Sequence, residues 1–566
     1  MEIIKLSESD CKDCYRCLRN CELKAIGIKN NQAEVIEEKC IKCGKCIEIC
    51  PQNAKEVTNH LTQLKEKLQQ KKLVASVAPS FIAEFDFSPH KLVTALKKLG
   101  FYAVEETAQG AKIIADYYQQ SISDRSQPII SACCPAVVSL IEKHYPELIS
   151  YLSNSVSPMV AHGRLIKEKY SDVEVVFIGP CIAKLEEITW DSIQEAIDLA
   201  ITFDQLQELF DDQQLIPEEL PESQFDDLSV NWSTAFPVEK GVLQAAGIDN
   251  EFNTDIITVS GVKNCIDTFE DLLAGEINPQ FIEALICVGG CINGPGISSD
   301  LGLHARREKV VNYSRNLVNK RSTSNKQENI NIGLTRYYTN QQIEEEMPTE
   351  NQINSILSQL GKFSSEDELD CGGCGYDTCR DKAVAVYQGQ AEEKMCIPYM
   401  KGKMETLTDI IVKSSPNAII VVDKDMVIQK FNPRANKLFN RNRKSPIGNK
   451  LDKYVDPSDF VKVWETGKNI AKKKMEYEQY GVVVEKAIFS VPEYELVIGI
   501  LADITERERH KEKMANMKEK TLKRANAVIN KQMKVAQEIA GLLGESTSET
   551  KAILHEVREL MQEEDR

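Results

Sequence analysis

The chain of 566 residues has no run of about 18 apolar residues, so no membrane-spanning helix is expected. It has no excess of basic charge either. Lys and Arg total 69 against 86 Asp and Glu, a net charge of −17. Nucleic acid and anionic membrane surfaces both select basic faces, so neither is an expected partner. The first residues, MEIIKLSESD, carry no basic segment followed by an apolar one and no Arg pair ahead of an apolar stretch. A cytoplasmic location is expected. Histidine is scarce, and between Glu405 and Arg507 there is neither His nor Cys. That stretch offers no imidazole to a haem and no thiol to a flavin. Cysteine, in contrast, is abundant: 18 residues, nearly all in clusters. A disulfide framework belongs to short secreted chains. Clustered spacings in a long cytoplasmic chain point instead to metal.

Residues 11 to 21 read CKDCYRCLRNC, and residues 40 to 51 read CIKCGKCIEICP. Each is C-x2-C-x2-C-x3-C, the run of bacterial two-cluster ferredoxins, in which the fourth Cys of each run serves the other cluster. Cys11, Cys14, Cys17 and Cys50 are therefore expected to hold one [4Fe–4S] cluster, and Cys40, Cys43, Cys46 and Cys21 the other. Glu22 stands where Pro is usual in the first run. C-x2-C pairs also bind zinc, but the doubled run of eight is the more specific sign. A ferredoxin domain over 1–58 is expected. It relays electrons, so a redox centre should follow. A polar helical connector with Leu61, Leu64 and Leu68 leads into an α/β region over 72–314.

Three cysteine sites lie far apart in this region: SACCPAV (Cys133, Cys134), VEVVFIGPCIAKLEE (Cys181) and FIEALICVGGCINGPG (Cys287, Cys291). Each follows an apolar, strand-like run, and loops after strands are where a fold gathers distant residues. Taken together, in this order, the motifs resemble the signatures of the [FeFe]-hydrogenases. With the ferredoxin part, the resemblance covers about the first 310 residues. It implies an H-cluster: a [4Fe–4S] cube joined through one cysteine to a two-iron subsite carrying CO, cyanide and a bridging dithiolate. By motif match Cys134, Cys181, Cys287 and Cys291 would hold the cube, with Cys291 bridging to the subsite. Lys184 matches the lysine that bonds one cyanide, and Ala78, Pro79 and Ser80 match the segment lining the other. Cys133 matches the thiol that hands protons to the subsite. A lysine facing cyanide is a charge-assisted pair, and a thiol is a reasonable last proton carrier.

Several positions depart from the family pattern. Gly179 and Leu285-Ile286 replace the expected Met and Met-Ala, Val137 replaces Trp, and Met159 replaces Gln. The family's Glu-rich relay helix aligns with QGAKIIADYYQQS, its Glu positions falling on Tyr118 and Ser121. Tyr, with an ordinary pKa near 10, is a poor proton carrier at neutral pH. Slow turnover is expected. Cys265, without a cysteine neighbour in sequence, reads as a packing residue.

Residues 315–366 are polar and read as a partly helical linker. Cys371, Cys374, Cys379 and Cys396 then give C-x2-C-x4-C-x16-C over 367–401. This resembles the small four-cysteine [4Fe–4S] domain of electron-transfer and corrinoid proteins; zinc is the alternative. The ends of 405–507, SSPNAIIVVDKDMVIQKFNPRANKLFN and the Asp-Ile-Thr-Glu-Arg exit, resemble a PAS domain, read as a relay with no haem or flavin. Residues 508–566 read as a signalling helix, with Leu522, Ala525, Ile529, Ala536, Ile539 and Leu543 on a coiled-coil seam. A second helix, Thr550 to Met561, carries His555, taken as an exposed coil residue.

The expected architecture is thus multidomain, α/β and α+β: ferredoxin-like, H-cluster, four-Cys, PAS and coiled coil. The expected cofactors are three [4Fe–4S] clusters and the H-cluster. The favoured function is a sensory [FeFe]-hydrogenase of low turnover that passes redox state to a PAS–coil output. The expected partners are hydrogen and protons, a ferredoxin-type electron partner, a second copy through PAS and coil, and a separate phosphatase or kinase. The alternatives are a ferredoxin-linked catalytic hydrogenase and an iron–sulfur redox switch lacking the two-iron subsite.

Overall fold

The computed structural model describes residues 3–6, 10–124, 127–193, 195–227, 232–248, 254–319, 332–440, 445–543, 552–556 and 558. The chain divides into two compact units, Met1–Met400 and Lys401–Arg566.

The first unit is built on two parallel sheets. One has the strand order Ala103–Glu106, Leu73–Val77, Glu174–Gly179, Leu199–Thr202. The other has the order Ile256–Ser260, Phe281–Leu285, Ile129–Ile130. These strands are near-continuous apolar runs because helices cover both faces, as parallel sheets require. Each sheet has its own apolar core. The site follows from the topology: Ala78-Pro79-Ser80, Thr107, Cys133-Cys134, Cys181 and Cys287 all come just after the carboxyl ends of these strands. In open α/β sheets, that edge is where loops converge on a ligand.

The amino-terminal ferredoxin part pairs Ile4–Leu6 with Lys55–Val57 and Ile26–Lys29 with Gln32–Val35, both antiparallel. It is clamped to the α/β part. Lys143 Nζ donates to the carbonyls of Glu37 and Cys40, at 3.0 and 2.7 Å. Gly44 has φ +77°, and a Cβ there would stand 2.5 Å from Pro295 Cβ. Only glycine lets the two segments close at this point.

The four-Cys segment, some 350 residues downstream, packs on the opposite end of the chain. Tyr376, Ala385, Ala391 and Met395 share one core with Cys17, Leu18, Ile26 and Ile28 of the ferredoxin part. Lys24 Nζ donates to the Gly375 carbonyl at 2.9 Å, and the Ile28 N–H to the Gln390 carbonyl at 2.9 Å.

The stretch read as a linker is built into the unit where it is described. The Val156 N–H donates to the Leu334 carbonyl and the Arg336 N–H to the Asn154 carbonyl, each at 2.8 Å. The Arg336 guanidinium lies against the rings of Trp190 and Tyr338, 4.4 and 4.5 Å from their centroids. Further on, the helix Glu350–Gln359 puts Ile353 and Leu357 against Ala383 of the four-Cys helix Cys379–Tyr387. The segment is polar because it lies on the surface, yet its backbone pairs with that of Asn154–Val156.

The second unit holds a five-stranded antiparallel sheet in the order Ile428–Phe431, Ala418–Asp423, Leu496–Asp503, Val482–Val491, Ile470–Tyr477. The Asp-Ile-Thr exit has a local cause. Asp503 Oδ1 accepts from the Thr505 N–H at 3.0 Å, and Thr505 Oγ1 accepts from the Val483 N–H at 3.0 Å. The sheet edge thus sets the start of the helix Thr505–Leu543, which at 1.5 Å per residue is about 58 Å long. On this helix Ile539 is 52% exposed. The expected second helix lies mostly outside the described residues. Among those residues, no helix is long and apolar enough to cross a membrane.

Candidate metal centre

The central cavity is lined by Ala78, Pro79, Ser80, Cys133, Cys134, Cys181, Lys184 and Cys291. These residues come from four strand ends and are separated by up to 213 positions, yet they face one space. The Cys287 and Cys291 thiols each interact electrostatically with Cys134 and Cys181, so the four expected cube ligands are together. Burial pushes the Cys181 thiol up to about 11, and raises Cys287 and Cys291 as well. Loading metal onto such thiols must release protons, so it weakens as pH falls.

Two features test the fit of an anionic, ligand-bearing cluster. Ser80 is fully buried and its hydroxyl has no partner, an expensive state for a polar atom unless a ligand supplies the bond. Lys184 brings a part-buried ammonium to the cavity; its Nζ bonds Glu187 Oε2 at 3.0 Å and Ser157 Oγ at 3.3 Å. Burial lowers the Lys184 pKa, but Glu187 and the neighbouring Cys181 and Cys291 raise it by more, so the charge is kept. The residues fit. The thiols ring a space rather than a point: among the described residues no three His, Cys, Asp or Glu side chains gather on one metal-ion position.

The departures from the family pattern have structural counterparts. A Cβ on Gly179 would stand 2.6 Å from the Phe177 ring, which fills the space a larger residue would take and itself lines the cavity. Met159 and Leu285 also line it. Cys265 is buried beside Leu285, its thiol 3.6 Å from that carbonyl.

Cys133 is buried, and its thiol lies 3.2 Å from Tyr118 Oη. Tyr118 Oη accepts from the Ala132 N–H at 3.0 Å and from Ser155 Oγ at 3.2 Å. Ser121 does not join this chain; its hydroxyl donates to the Tyr117 carbonyl. Burial pushes Cys133 up to about 12 and Tyr118 higher than the usual phenol. Both are neutral donors at neutral pH, and neither releases a proton readily.

Cys287 faces a second cavity, shared with Cys21, Cys40, Cys43 and Cys46. Cys40, Cys43 and Cys46 each interact with Cys21, so the expected crossover set is assembled. Cys287 also interacts with Cys43, which makes this pair the junction between the ferredoxin part and the central site. Of the other ferredoxin set, Cys17 interacts with Cys11, Cys50 accepts from the Ala54 N–H, and Cys14 is exposed. Cys371, Cys374, Cys379 and Cys396 line one further cavity.

Sequence reading missed the lysines. Lys42, Lys55 and Lys382 are buried, each beside cluster cysteines: Cys40, Cys17, and Cys374 with Cys396. Thiolate-bound clusters carry negative charge, which a buried ammonium offsets. The signal was present in CIKCGKC, where a lysine stands between ligands.

Glu283 was also missed. It is buried in the strand Phe281–Leu285, within electrostatic reach of Cys133, and burial pushes its carboxyl up to about 8. The folded state therefore keeps a proton that the unfolded chain loses above its ordinary pKa of 4.5. This contribution is full below that value and is lost as pH rises toward 8. Glu283→Gln should remove the loss. In metal-free protein, the unfolding free-energy advantage of the variant, read by chemical denaturation, should grow between roughly pH 5 and 8, by on the order of 1 kcal/mol per pH unit. A constant difference across that range would contradict the assignment.

Comparison with known proteins bears on this geometry. Residues 71–295 match the family described as iron only hydrogenase large subunit, C-terminal domain. Residues 71–295 thus resemble the iron-only hydrogenase domain, over less than half of the chain. This segment is flanked by matches to the 4Fe-4S binding domain over 33–56, an Fe-S cluster family over 367–398 and the PAS fold over 407–486. Iron hydrogenase 1 of Clostridium pasteurianum is 26% identical over 52% of this chain and 64% of its own length. The periplasmic [Fe] hydrogenase large subunit of Nitratidesulfovibrio vulgaris is 27% identical over 52% of this chain and 86% of its own. The cytosolic Fe-S cluster assembly factor NAR1 of Yarrowia lipolytica is 24% identical over 55% of this chain and 78% of its own. The chain thus spans less than two thirds of the first of these relatives.

Proposed function

We propose that this protein is a sensory [FeFe]-hydrogenase that binds hydrogen at an H-cluster, turns it over slowly, and passes the resulting redox state to a PAS–coil output. When bound, the H-cluster would supply heterolytic splitting of hydrogen. Cys134, Cys181, Cys287 and Cys291 would hold it, Lys184 and Ser80 would bond its cyanides, and Cys133 would hold the proton nearest to it.

The observation that carries this reading is the continuous file of cysteine sites. It runs from the central cavity through Cys287 and Cys43 to the Cys21, Cys40, Cys43 and Cys46 set. From there it passes Cys17 and reaches the docked four-Cys segment. Three [4Fe–4S] clusters on these sites would form one electron path that ends inside the chain. Its last ligand, Cys396, immediately precedes the helix Ile397–Ser414, after which the PAS sheet begins at Ala418. A ferredoxin-type partner remains part of the proposal as a slow external donor or acceptor. A second copy would cover the apolar seam of the helix Thr505–Leu543, and a separate phosphatase or kinase would read it, in the cytoplasm.

Slow turnover follows from the chain at Cys133. Its next carrier is the Tyr118 phenol, held neutral by burial. Tyr118→Glu should raise hydrogen–deuterium exchange by roughly tenfold or more, because a positioned carboxyl is a far better carrier near neutral pH. Exchange no faster than in the parent, with an intact cluster, would count against the explanation.

Similarity to an iron–sulfur assembly factor favours a second reading, a non-catalytic iron–sulfur protein. The buried, unpartnered Ser80 hydroxyl and the Lys184 ammonium speak against it, since a cube alone has no cyanide to receive them. Infrared bands of CO and cyanide in the matured protein distinguish the two.

A further inference from the structure

Thr107 also faces the central cavity, just beyond the strand Ala103–Glu106. Its Oγ1 lies 2.8 Å from Ser76 Oγ, which lies 2.7 Å from His162 Nδ1. His162 Nε2 stands 3.4 Å from Glu105 Oε2. The other Glu105 oxygen accepts from Lys169 Nζ at 2.7 Å and Tyr170 Oη at 2.6 Å. Lys169 in turn bonds Asp227 at 2.9 Å, and these two side chains are 36% and 34% exposed. Ser76, His162 and Glu105 have no exposed surface at all. A file of polar groups therefore crosses the core from a solvent-exposed rim to the cavity.

Packing alone does not ask for these residues. Ser76 interrupts the apolar strand Leu73–Val77, and His162 sits on a helix face otherwise buried by apolar side chains. The helices Ala108–Asp124 and Pro158–Lys169 are close enough here that a Cβ on Gly110 would stand 2.1 Å from the Pro158 carbonyl oxygen and 2.8 Å from His162 Cβ. A cluster that only braced these elements would close its bonds. This one leaves His162 Nε2 and Glu105 Oε2 facing each other, near but without an aligned hydrogen bond, both buried. An imidazole nitrogen and a carboxylate oxygen in that position are a place for one shared proton. Burial pushes the Glu105 carboxyl up, but the neighbouring His162, Lys169 and Tyr170 outweigh it and hold it down at about 2. It stays anionic and presents an acceptor oxygen to His162 Nε2.

We propose that Glu105, His162, Ser76 and Thr107 form a second proton conduit between solvent and the cavity, separate from Tyr118 and Cys133. The proposal rests on the hydrogenase reading above. A proton from water at the Lys169–Asp227 rim passes by way of Glu105 to His162 Nε2. The proton on His162 Nδ1 moves to Ser76 Oγ as the Ser76 proton moves to Thr107 Oγ1, and the Thr107 proton leaves into the cavity. One proton enters, one leaves, and no group retains a changed charge. A flip of the imidazole ring, which brings its remaining proton round to face Ser76, and rotation of the two hydroxyls reset the file.

The test uses the full chain with its clusters in place, verified by CO and cyanide infrared bands. Cys133→Ala breaks the first route. Light-triggered electron injection is followed by the band shift that reports arrival of a proton, in H2O and in D2O. The conduit predicts a residual, isotope-sensitive shift in Cys133→Ala that slows by roughly tenfold or more on adding Thr107→Val, which keeps the side-chain shape. Thr107→Ser, which keeps the hydroxyl, should restore it, and a bracing role would give no such rescue. His162→Phe should slow the shift as Thr107→Val does. No residual shift in Cys133→Ala, or equal rates with Val and Ser at 107, would overturn the conduit. Absence of the bands from the unaltered protein would instead overturn the hydrogenase reading.

Discussion

Cys291→Ala is expected to abolish the CO and cyanide infrared bands of the matured protein. Hydrogen–deuterium exchange should fall by roughly 100-fold or more, to background. The reason is a division of labour between two cysteines only four residues apart. Cys287 faces the cavity shared with Cys21, Cys40, Cys43 and Cys46. Cys291 faces the central cavity with Cys133, Lys184 and Ser80. The first is on the electron side, the second on the side where a two-iron subsite would sit. Losing Cys291 should therefore spare the paramagnetic signals of the ferredoxin-type and four-Cys clusters. Cys265→Ala is the control. That thiol packs in the apolar core and bonds the Leu285 carbonyl without lining the central cavity, so the bands should persist. Bands that survive in Cys291→Ala would remove it as the bridge.

The second large effect concerns the four-Cys segment. Gly375 has φ +98°, a conformation that side chains rarely adopt, and a Cβ there would stand 2.8 Å from Leu18 Cγ. Gly375→Val meets both obstacles at the seam that joins this segment to the ferredoxin part. Overpacking of this kind costs about 1–3 kcal/mol, enough to undo a small docked surface. The apolar core at the seam includes no residue of 71–295, so the infrared bands and the exchange rate should be unchanged. Under hydrogen, however, the four-Cys cluster should stay oxidised in the variant and become reduced in the parent, as read by electron paramagnetic resonance. Equal reduction in both would mean that electrons reach this cluster by another route.

Some of this was legible in the sequence, for identifiable reasons. Cysteine spacing is local and chemically loaded, so the crossover of Cys21 to Cys40, Cys43 and Cys46 could be read directly. The gathering of Cys134, Cys181, Cys287 and Cys291 could be expected because each motif follows an apolar strand run. The docking of the four-Cys segment could not. Its surface consists of Leu18, Ile28, Tyr376 and Met395, ordinary apolar residues whose pairing across some 350 positions leaves no pattern. Likewise, residues around Arg336 read as linker because they are polar, although the rings of Trp190 and Tyr338 both lie against the guanidinium. The Tyr118 substitution was visible, but its partners Ser155 and Ala132 were not, since a hydroxyl chain depends on how two loops meet. Ser76 and His162 look like stray polar residues in apolar segments until the fold joins them.

These observations share a physical theme. Among the described residues, a buried lysine stands beside cysteines of the ferredoxin part (Lys42, Lys55) and of the four-Cys segment (Lys382), and the central cavity holds the unpartnered Ser80 hydroxyl and the part-buried Lys184. Burying such groups in an apolar core is costly, and an anionic cluster beside them offsets the cost. The central cavity differs from the others in offering two kinds of donor and two polar files, one through Cys133 and one through Thr107.

The most direct measurement of the central claim is the infrared spectrum of the full-length protein after maturation with a two-iron subsite, recorded under argon and then under hydrogen. The account predicts CO and cyanide bands that shift on adding hydrogen, slowly, and in step with reduction of the four-Cys cluster. A protein with iron–sulfur absorbance but without these bands, or with bands indifferent to hydrogen, would contradict it.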